Sequence, residues 1–383
     1  MASFSYKTVG KVEDITDFVI NLSPDETLLT SKFGRTSIIG TEHSWLSDSL
    51  RPAQENKTTE KVDFATIEAT PRKRQSNYVQ QFMHGYNVTD IGQAIKKYGV
   101  KDEMGYQMVK ASKEIGRDLE YAVATNATNT MLDDATPGRM GGVPYFLAAS
   151  KTFTVVAGTD VFTIAGHKLV NGDIVSFYKT GAGVIPAGLL PNKQYFVHVV
   201  DKDTFTVHLT SQDAQGNVNK VDVTSTGTAP FFLTEQNLID AGSVAPPNAG
   251  KFTFDLLNDA MQAAWTRGGK IDSAIMSGRN KRKASSFTQG TQKTKDMTSR
   301  EVVEVIDVIE TDFGRINLIA HRMYANDVVD LLEFQYWKLG YLIPFHVEDV
   351  QRKGTYKEKV ITGVATLECT APIANARIFG ITG

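Results

Sequence analysis

Residues 102–132 read DEMGYQMVKASKEIGRDLEYAVATNATNTML. Apolar side chains fall at Met104, Met108, Ala111, Ile115, Leu119, Ala122 and Val123. That is the three-and-four spacing of one helical face. Lys110, Lys113, Glu114, Arg117, Asp118 and Glu120 fill most of the remaining surface. Asp102 suits the N-cap, and Glu103 suits the positive end of the helix dipole. Thr136-Pro137-Gly138 is the predicted stop. Such a helix is roughly 40 Å long at 1.5 Å per residue. Taken alone it fits a helix bundle. With strand-like segments on both sides it reads as a beam on which the rest of the chain is laid.

Upstream, residues 1–42 show no strong periodicity, apart from a short helix predicted from Ser23-Pro24-Asp25-Glu26 through Leu29 and broken at Phe33-Gly34-Arg35. An arm of this kind orders only where it lies on something else. From Thr41 the pattern turns extended. Trp45 sits in an apolar–polar alternation, and Tyr78, Gln80 and Phe82 alternate with Asn77, Val79 and Gln81. This predicts a long hairpin, Thr41–Phe82, with Arg72, Lys73 and Arg74 at its tip. It has too few apolar residues for a core of its own. An isolated hairpin is marginal in water, so it should lie on another surface. Val88-Thr89-Asp90 then opens a short helix before the beam.

Downstream, residues 151–234 contain no Arg, Glu, Met or Trp. Short β-rich runs alternate with turns at 153–156, 161–164, 173–178, 194–200, 204–209, 218–223 and 230–233. This spacing predicts a small β-sandwich or barrel inserted in the chain, with an Ig-like sandwich as the preferred form. Beyond Ala245-Pro246-Pro247 the pattern is mixed. Helices are predicted at 252–265, 280–289 and 325–334. Strands are predicted at 273–276, 300–310, 315–320, 359–367 and 377–381. The whole reads as α+β.

Lys plus Arg is 41 and Asp plus Glu 43, a net charge of −2. That argues against a dedicated nucleic-acid coat, while leaving room for one basic face. A single cysteine, Cys369, forbids an intrachain disulfide and suits a reducing compartment. Glu13, Asp14 and Asp17 interrupt the place where a signal peptide needs an apolar core, and no apolar run spans a membrane. The expectation is a soluble product made in a cytoplasm, with no membrane partner.

The chemistry of common enzymes is missing. Gly268-Gly269-Lys270 lacks the spacing of a phosphate-binding loop. Asp312-Phe313-Gly314 spells the kinase metal motif but lies in a predicted hairpin turn, without a catalytic loop. His198 and His208 fall on one face if residues 201–203 form a turn. They are either a metal-ligand pair or two solvated strand histidines, and the second reading is preferred. Cys369 reads as a small buried residue. No catalytic, cofactor-binding or metal residue is assigned. Two basic clusters remain, Arg72-Lys73-Arg74 and Arg279, Lys281, Arg282 and Lys283. Each is either a solvated face or a contact. The contact would be intersubunit pairing for the first and weak phosphate contact for the second.

The order of elements resembles that of tailed-bacteriophage major capsid proteins, whose Hong Kong-97-type fold runs N-arm, E-loop hairpin, spine helix, peripheral domain and axial domain. More narrowly it looks like the major head proteins related to that of the SU-ten phage. The residues that carry the likeness include Trp45 with Asp48, Val88-Thr89-Asp90, Lys101-Asp102-Glu103, and Lys113-Glu114 through Asp118-Leu119-Glu120. They continue with Gly141-Gly142, Trp265 with Gly268-Gly269, Thr311 through Gly314, Lys353-Gly354 with Lys357, and Gly363 through Leu367. The likeness covers 1–149 and 237–383.

It implies an arm at 1–40, an E-loop at 41–93, the spine and the start of the peripheral and axial region at 94–149, an insert at 150–236, and the axial domain with the remainder of the peripheral domain at 237–383. It implies a structural protein that assembles into hexamers and pentamers of an icosahedral head, with the hairpin Thr41–Phe82 lying on a neighbouring subunit and its basic residues Arg72, Lys73 and Arg74 meeting acidic groups there. The expected partners are further copies of itself, a scaffolding protein, a portal and packaged double-stranded DNA, and the expected location is the virion. No scaffolding segment is evident in the chain, so a separate scaffold or a longer precursor is implied. The alternatives are a nanocompartment shell of the same fold, a cytosolic enzyme with a β lid, and a β-module adhesin or tail component.

Overall fold

The computed structural model describes residues 27–48, 57, 60, 72–95, 100, 102–181, 183–244, 246–287 and 308–382. Expectations that fall wholly on residues 1–26, on 49–56, or on the 288–307 segment lie outside them.

The first body is built on the beam. Helix α1 (Leu28–Lys32) ends at Phe33, and β1 (Gly34–Ser37) begins at the next residue. Strand β2 (Glu42–Ser47) pairs antiparallel with β3 (Lys73–Tyr78), from Glu42 opposite Tyr78 to Ser47 opposite Lys73. Strand β4 (Gln80–Thr89) follows, then the short helix α2 (Asp90–Ala94), capped by the Thr89 hydroxyl. The beam is α3 (Glu103–Thr125), capped as expected by Asp102, whose carboxylate accepts from the Met104 N–H at 3.1 Å. Strands β16 (Trp337–Asp349) and β17 (Tyr356–Cys369) complete a four-stranded sheet in the order β1-β16-β17-β4. Ala111, Ile115, Leu119, Ala122 and Val123 of α3 pack on Phe82, Ile361, Trp337 and Leu367 of this sheet and on α4 (Val143–Leu147). Met108, at the N-terminal half of the same stripe, is exposed.

The beam is shorter than the sequence suggests. It ends at Asn126, well before Thr136-Pro137-Gly138. The run Asn-Ala-Thr-Asn-Thr supplies neither an apolar stripe nor helix-favouring residues. Instead, the Asn126 carboxamide donates to the Met140 carbonyl at 2.8 Å and accepts from Arg139 at 2.9 Å, and the Gly142 N–H donates to the Asn126 carbonyl at 2.9 Å. The returning chain passes so close that a Cβ at Gly142 would lie 2.4 Å from the Val123 carbonyl oxygen. Only glycine fits there.

Residues 151–234 form a sheet of their own. It comprises β5 (Thr154–Val156), β6 (Val161–Thr163), β7 (Ile174–Lys179), β8 (Gln194–Val199), β9 (Thr204–His208) and β10 (Phe231–Thr234), in the antiparallel order β10-β7-β8-β9-β6-β5. Phe162, Phe177, Tyr195, Val197, Phe205 and Val207 fill its core. The expected Ig-like, two-layer sandwich is corrected to one curled sheet. Lys151 pairs with Leu233 through two backbone hydrogen bonds, which brings the approach to β5 back against β10 and bends the sheet toward a barrel. The run 218–223 makes only a bridge at Lys220, because Asn217 and Asn219 adopt left-handed conformations. A short helix, α5 (Ser211–Gly216), which the sequence reading missed, follows β9.

The third body is a mixed six-stranded sheet, β11-β18-β15-β12-β14-β13. Its strands are β11 (Asn237–Asp240), β12 (Ser273–Met276), β13 (Val308–Thr311), β14 (Gly314–Ala320), β15 (Val329–Leu332) and β18 (Ala376–Phe379). Helix α6 (Phe254–Thr266) packs on it through Leu256, Leu257, Ala260, Met261 and Ala264. Helix α7 (Gly278–Ser285) follows β12. The helix predicted at 325–334 is instead strand β15 and a 3-10 turn. All four residues of β15 are buried, and its Asp330 is held by Arg377 of β18 through two bonds of 2.6 and 2.7 Å. That partner, distant in sequence, overrides the helical spacing. Among the described residues, no helix is long and apolar enough to cross a membrane.

Candidate assembly surfaces

The hairpin root is fixed to its own chain. Asn77 is fully buried; its amide donates to the Gly141 and Leu367 carbonyls at 2.9 and 2.8 Å, and its carbonyl oxygen accepts from the Gly141 N–H at 2.8 Å. His43 meets Glu368 of β17 at 3.0 Å, and Trp45 packs on Phe146. Leu46, on the opposite face from Trp45, stays 63% exposed. Hence the hairpin's base lies on its own subunit, whereas the expectation had the hairpin Thr41–Phe82 on a neighbouring one.

Arg72, Lys73 and Arg74 are not at a tip. Lys73 and Arg74 are paired rungs of β3, opposite Ser47 and Leu46. Lys73 is engaged within the chain. Its ammonium donates to Asp173 at 2.6 Å and to Glu235 at 2.9 Å. Burial disfavours its charge, but the two carboxylates outweigh that and raise its pKa. Glu235 also binds Lys151 at 3.2 Å, and its backbone carbonyl accepts from the Arg267 guanidinium. Burial pushes the Glu235 carboxyl up; Lys73 and Lys151 pull it below its ordinary value. Burial lowers Arg267 to about 10 despite Glu235 and Asp173. Arg72 and Arg74 remain mostly exposed, beside Asp48 at 3.6 Å and Glu42 at 3.5 Å.

A second junction joins the N-terminal helix to the beam. The fully buried Glu120 accepts from the Leu29 and Thr30 N–H groups at 2.7 and 2.9 Å and meets His321 at 2.8 Å. A carboxylate on the beam thus caps the start of α1, where unpaired N–H groups and the helix dipole favour negative charge. The sequence reading placed Glu120 on the polar face. The only hint against that was Val123 and Ala124 at i+3 and i+4.

Two grooves flank the beam. One, of about 610 Å³, lies between its C-terminal half, β4 and the loop before Arg139, lined by Phe82, Met83, Asp118, Tyr121 and Pro137 among others. Met83 is 69% and Tyr121 58% exposed, an apolar face left uncovered by the described residues. The other, of about 360 Å³, lies between α1, the beam and β16, beside Arg35, Ser112, Tyr341 and Phe345.

The basic cluster sits on α7. Arg279, Arg282 and Lys283 are exposed; Lys281 is half-buried and donates to the Leu318 carbonyl at 2.8 Å, and Arg279 reaches the Thr382 carbonyl at 3.3 Å. His198 and His208 do share a face, with ring centroids 6.2 Å apart. His208 is fully buried and His198 half-buried. Their Nδ1 atoms meet the Ala214 and Val218 carbonyls at 2.7 and 2.8 Å, under α5. Burial lowers the His208 pKa, helped by His198. No group of three or more potential metal ligands gathers among the described residues.

A family model described as the SU10 major capsid protein matches residues 2–382. The major capsid protein of Escherichia phage Phieco32 is 25% identical over 388 residues, covering 99% of this chain and 97% of that one. Among solved structures, the cyanophage A-1(L) capsid asymmetric unit superposes with a TM-score of 0.60 at 10% identity, covering 97% of this chain and 98% of that one. The capsid structure of cyanophage P-SCSP1u gives 0.51 at 10% identity, covering 96% and 92%. At such identities the structural likeness speaks for the fold.

Proposed function

Because the chain belongs to the SU10 major capsid protein family and so is a major capsid protein of a phage head, we propose that it works by self-association into hexamers and pentamers around packaged double-stranded DNA. The observation that carries this reading is the hairpin. Its root is bolted down by Asn77 and His43 and clasped at Lys73, while Leu46 on its outward face stays exposed. A neighbour's β4–beam groove, with Met83 and Tyr121 uncovered, is a surface of the right character. Arg72 and Arg74 then meet acidic groups of the neighbour. Each such exposed pair is worth only about 0–1 kcal/mol, but a shell repeats it many times.

In the same reading 1–40 is the arm, 41–93 the E-loop, 94–149 the spine region, 150–236 an outward-facing insert and 237–383 chiefly the axial domain. Helix α7 offers Arg279, Arg282 and Lys283 to DNA as weak, salt-sensitive phosphate contacts. A scaffolding protein and a portal complete the assembly, and synthesis takes place in the host's cytoplasm. Electron microscopy of particles made by the full chain with its scaffold tests the reading. Closed icosahedral shells that package DNA support it. Only a compact monomer under every assembly condition, or shells that take up protein cargo instead, would overturn it.

A further inference from the structure

The insert touches the hairpin through Lys73 alone among the ion pairs described, and the place of that contact matters. Lys73 is the outermost paired rung of β3, opposite Ser47, whereas Asn77 fixes the inner end. The two points are about 13 Å apart at strand rise. A ribbon held at one end can pivot; one held at both ends has a direction. The two carboxylates come from separate parts of the insert's root. Asp173 precedes β7 and is itself positioned by accepting the Val170 N–H at 2.8 Å. Glu235 lies on the exit stem and also holds Lys151 of the entry stem.

We propose that the insert is a brace for the hairpin: Asp173 and Glu235 clasp Lys73, close the insert's two stems on each other, and so fix the angle at which the hairpin leaves the subunit. The stems cannot drift without releasing Lys73, because Glu235 serves both lysines. The insert's root is in turn seated on the third body. Asn192 exchanges hydrogen bonds of 2.9 and 2.8 Å with the Asp240 backbone, and Gln194 donates to the Ala263 carbonyl at 3.2 Å. The brace therefore stands on a fixed base. That the hairpin reaches a neighbour rests on the capsid reading above; the clasp itself is a property of the single subunit.

Hydrogen exchange on the unassembled full chain tests it. Lys73→Met keeps the stem of the side chain and removes its charge, while Lys151 and Arg267 remain to keep Glu235 ionised. Amides of 73–75 should then exchange about tenfold faster, with the α3 amides unchanged. The double variant Asp173→Asn with Glu235→Gln should give the same result from the other side, and Lys73→Arg should stay close to the unmutated protein. If either charge-removing variant fails to fold, the other decides. Unchanged exchange at 73–75 in a folded variant, or Lys73→Arg behaving like Lys73→Met, would overturn the brace. Shells that assemble normally alongside that result would leave the capsid reading standing.

Discussion

Glu120 is the residue on which the N-terminal helix depends. Its removal strands the Leu29 and Thr30 N–H groups and the His321 ring in a buried site. Glu120→Ala should lower the unfolding free energy by about 3–5 kcal/mol, as loss of one buried charged partner does. Denaturant titration measures it. Burial alone would raise the Glu120 pKa; hydrogen bonds from His321, Thr30 and Leu29 more than reverse that and lower it. A depressed folded pKa means stability that is present above the ordinary carboxyl value of 4.5 and is lost as pH falls through the folded value. Glu235 has the same sign. The subunit should therefore lose stability in acid below about pH 4.5, and Glu120→Gln should flatten that part of the profile in thermal melts across pH. None of this was legible in the sequence. A glutamate shortly after Arg117 and Asp118 looks solvated until its partners, 90 and 201 positions away, are known.

At the scale of elements, the beam's beginning was readable and its end was not. Asp102 announces a cap by its own chemistry. The stop at Asn126 depends on Met140, Arg139 and Gly142 returning to it. Gly142→Ala would press a Cβ against the Val123 and Ala122 carbonyls, at 2.4 and 2.6 Å before relaxation. The expected cost is about 1–3 kcal/mol, measured by thermal or denaturant unfolding. Strand β15 defeated periodicity because Asp330 is neutralised by Arg377, so a charged residue is buried in a sheet. Strand β16 escaped notice because register shifts after Tyr341 and Ile343 break its alternation. In the insert, by contrast, alternation and turn residues placed six of seven strand runs, since each core side chain there finds partners within the same short segment. On α7, Arg282→Glu with Lys283→Glu should change subunit stability by less than about 0.5 kcal/mol, as exposed substitutions do. It should weaken retention of DNA in filled heads, most visibly at low salt. Equal DNA retention by both proteins across salt concentrations would remove α7 from the inner face.

For the whole molecule there are three apolar cores: the first and third meet through β12 and β15, with Ile275 and Leu332 in the first core and Ala274, Met276 and Leu331 in the third, while polar junctions at Lys73, Asn192 and Gln194 help seat the insert. The order of hairpin, beam and mixed sheet was legible, because periodicity and turn chemistry are local. The junctions at Lys73, Asn77 and Glu120 were not, because each joins residues far apart in the chain. They also change what should follow from removing the insert. Replacing 152–234 with a short Gly-Ser linker should leave a folded subunit that still assembles, since the other two cores share no strand with the insert. Its shells should be less uniform, because the hairpin loses Asp173 as an anchor.

The central claim is that the hairpin, rooted on its own chain, completes its packing on a neighbour. The most direct test is cryo-electron microscopy of assembled shells at a resolution that traces the chain between Ser47 and Lys73. The account predicts that segment lying across the adjacent subunit's β4–beam groove, over Met83 and Tyr121, with Lys73 still held by Asp173 and Glu235 of its own chain. A hairpin folded back along its whole length onto its own subunit, with the neighbour's groove open to solvent, would contradict it.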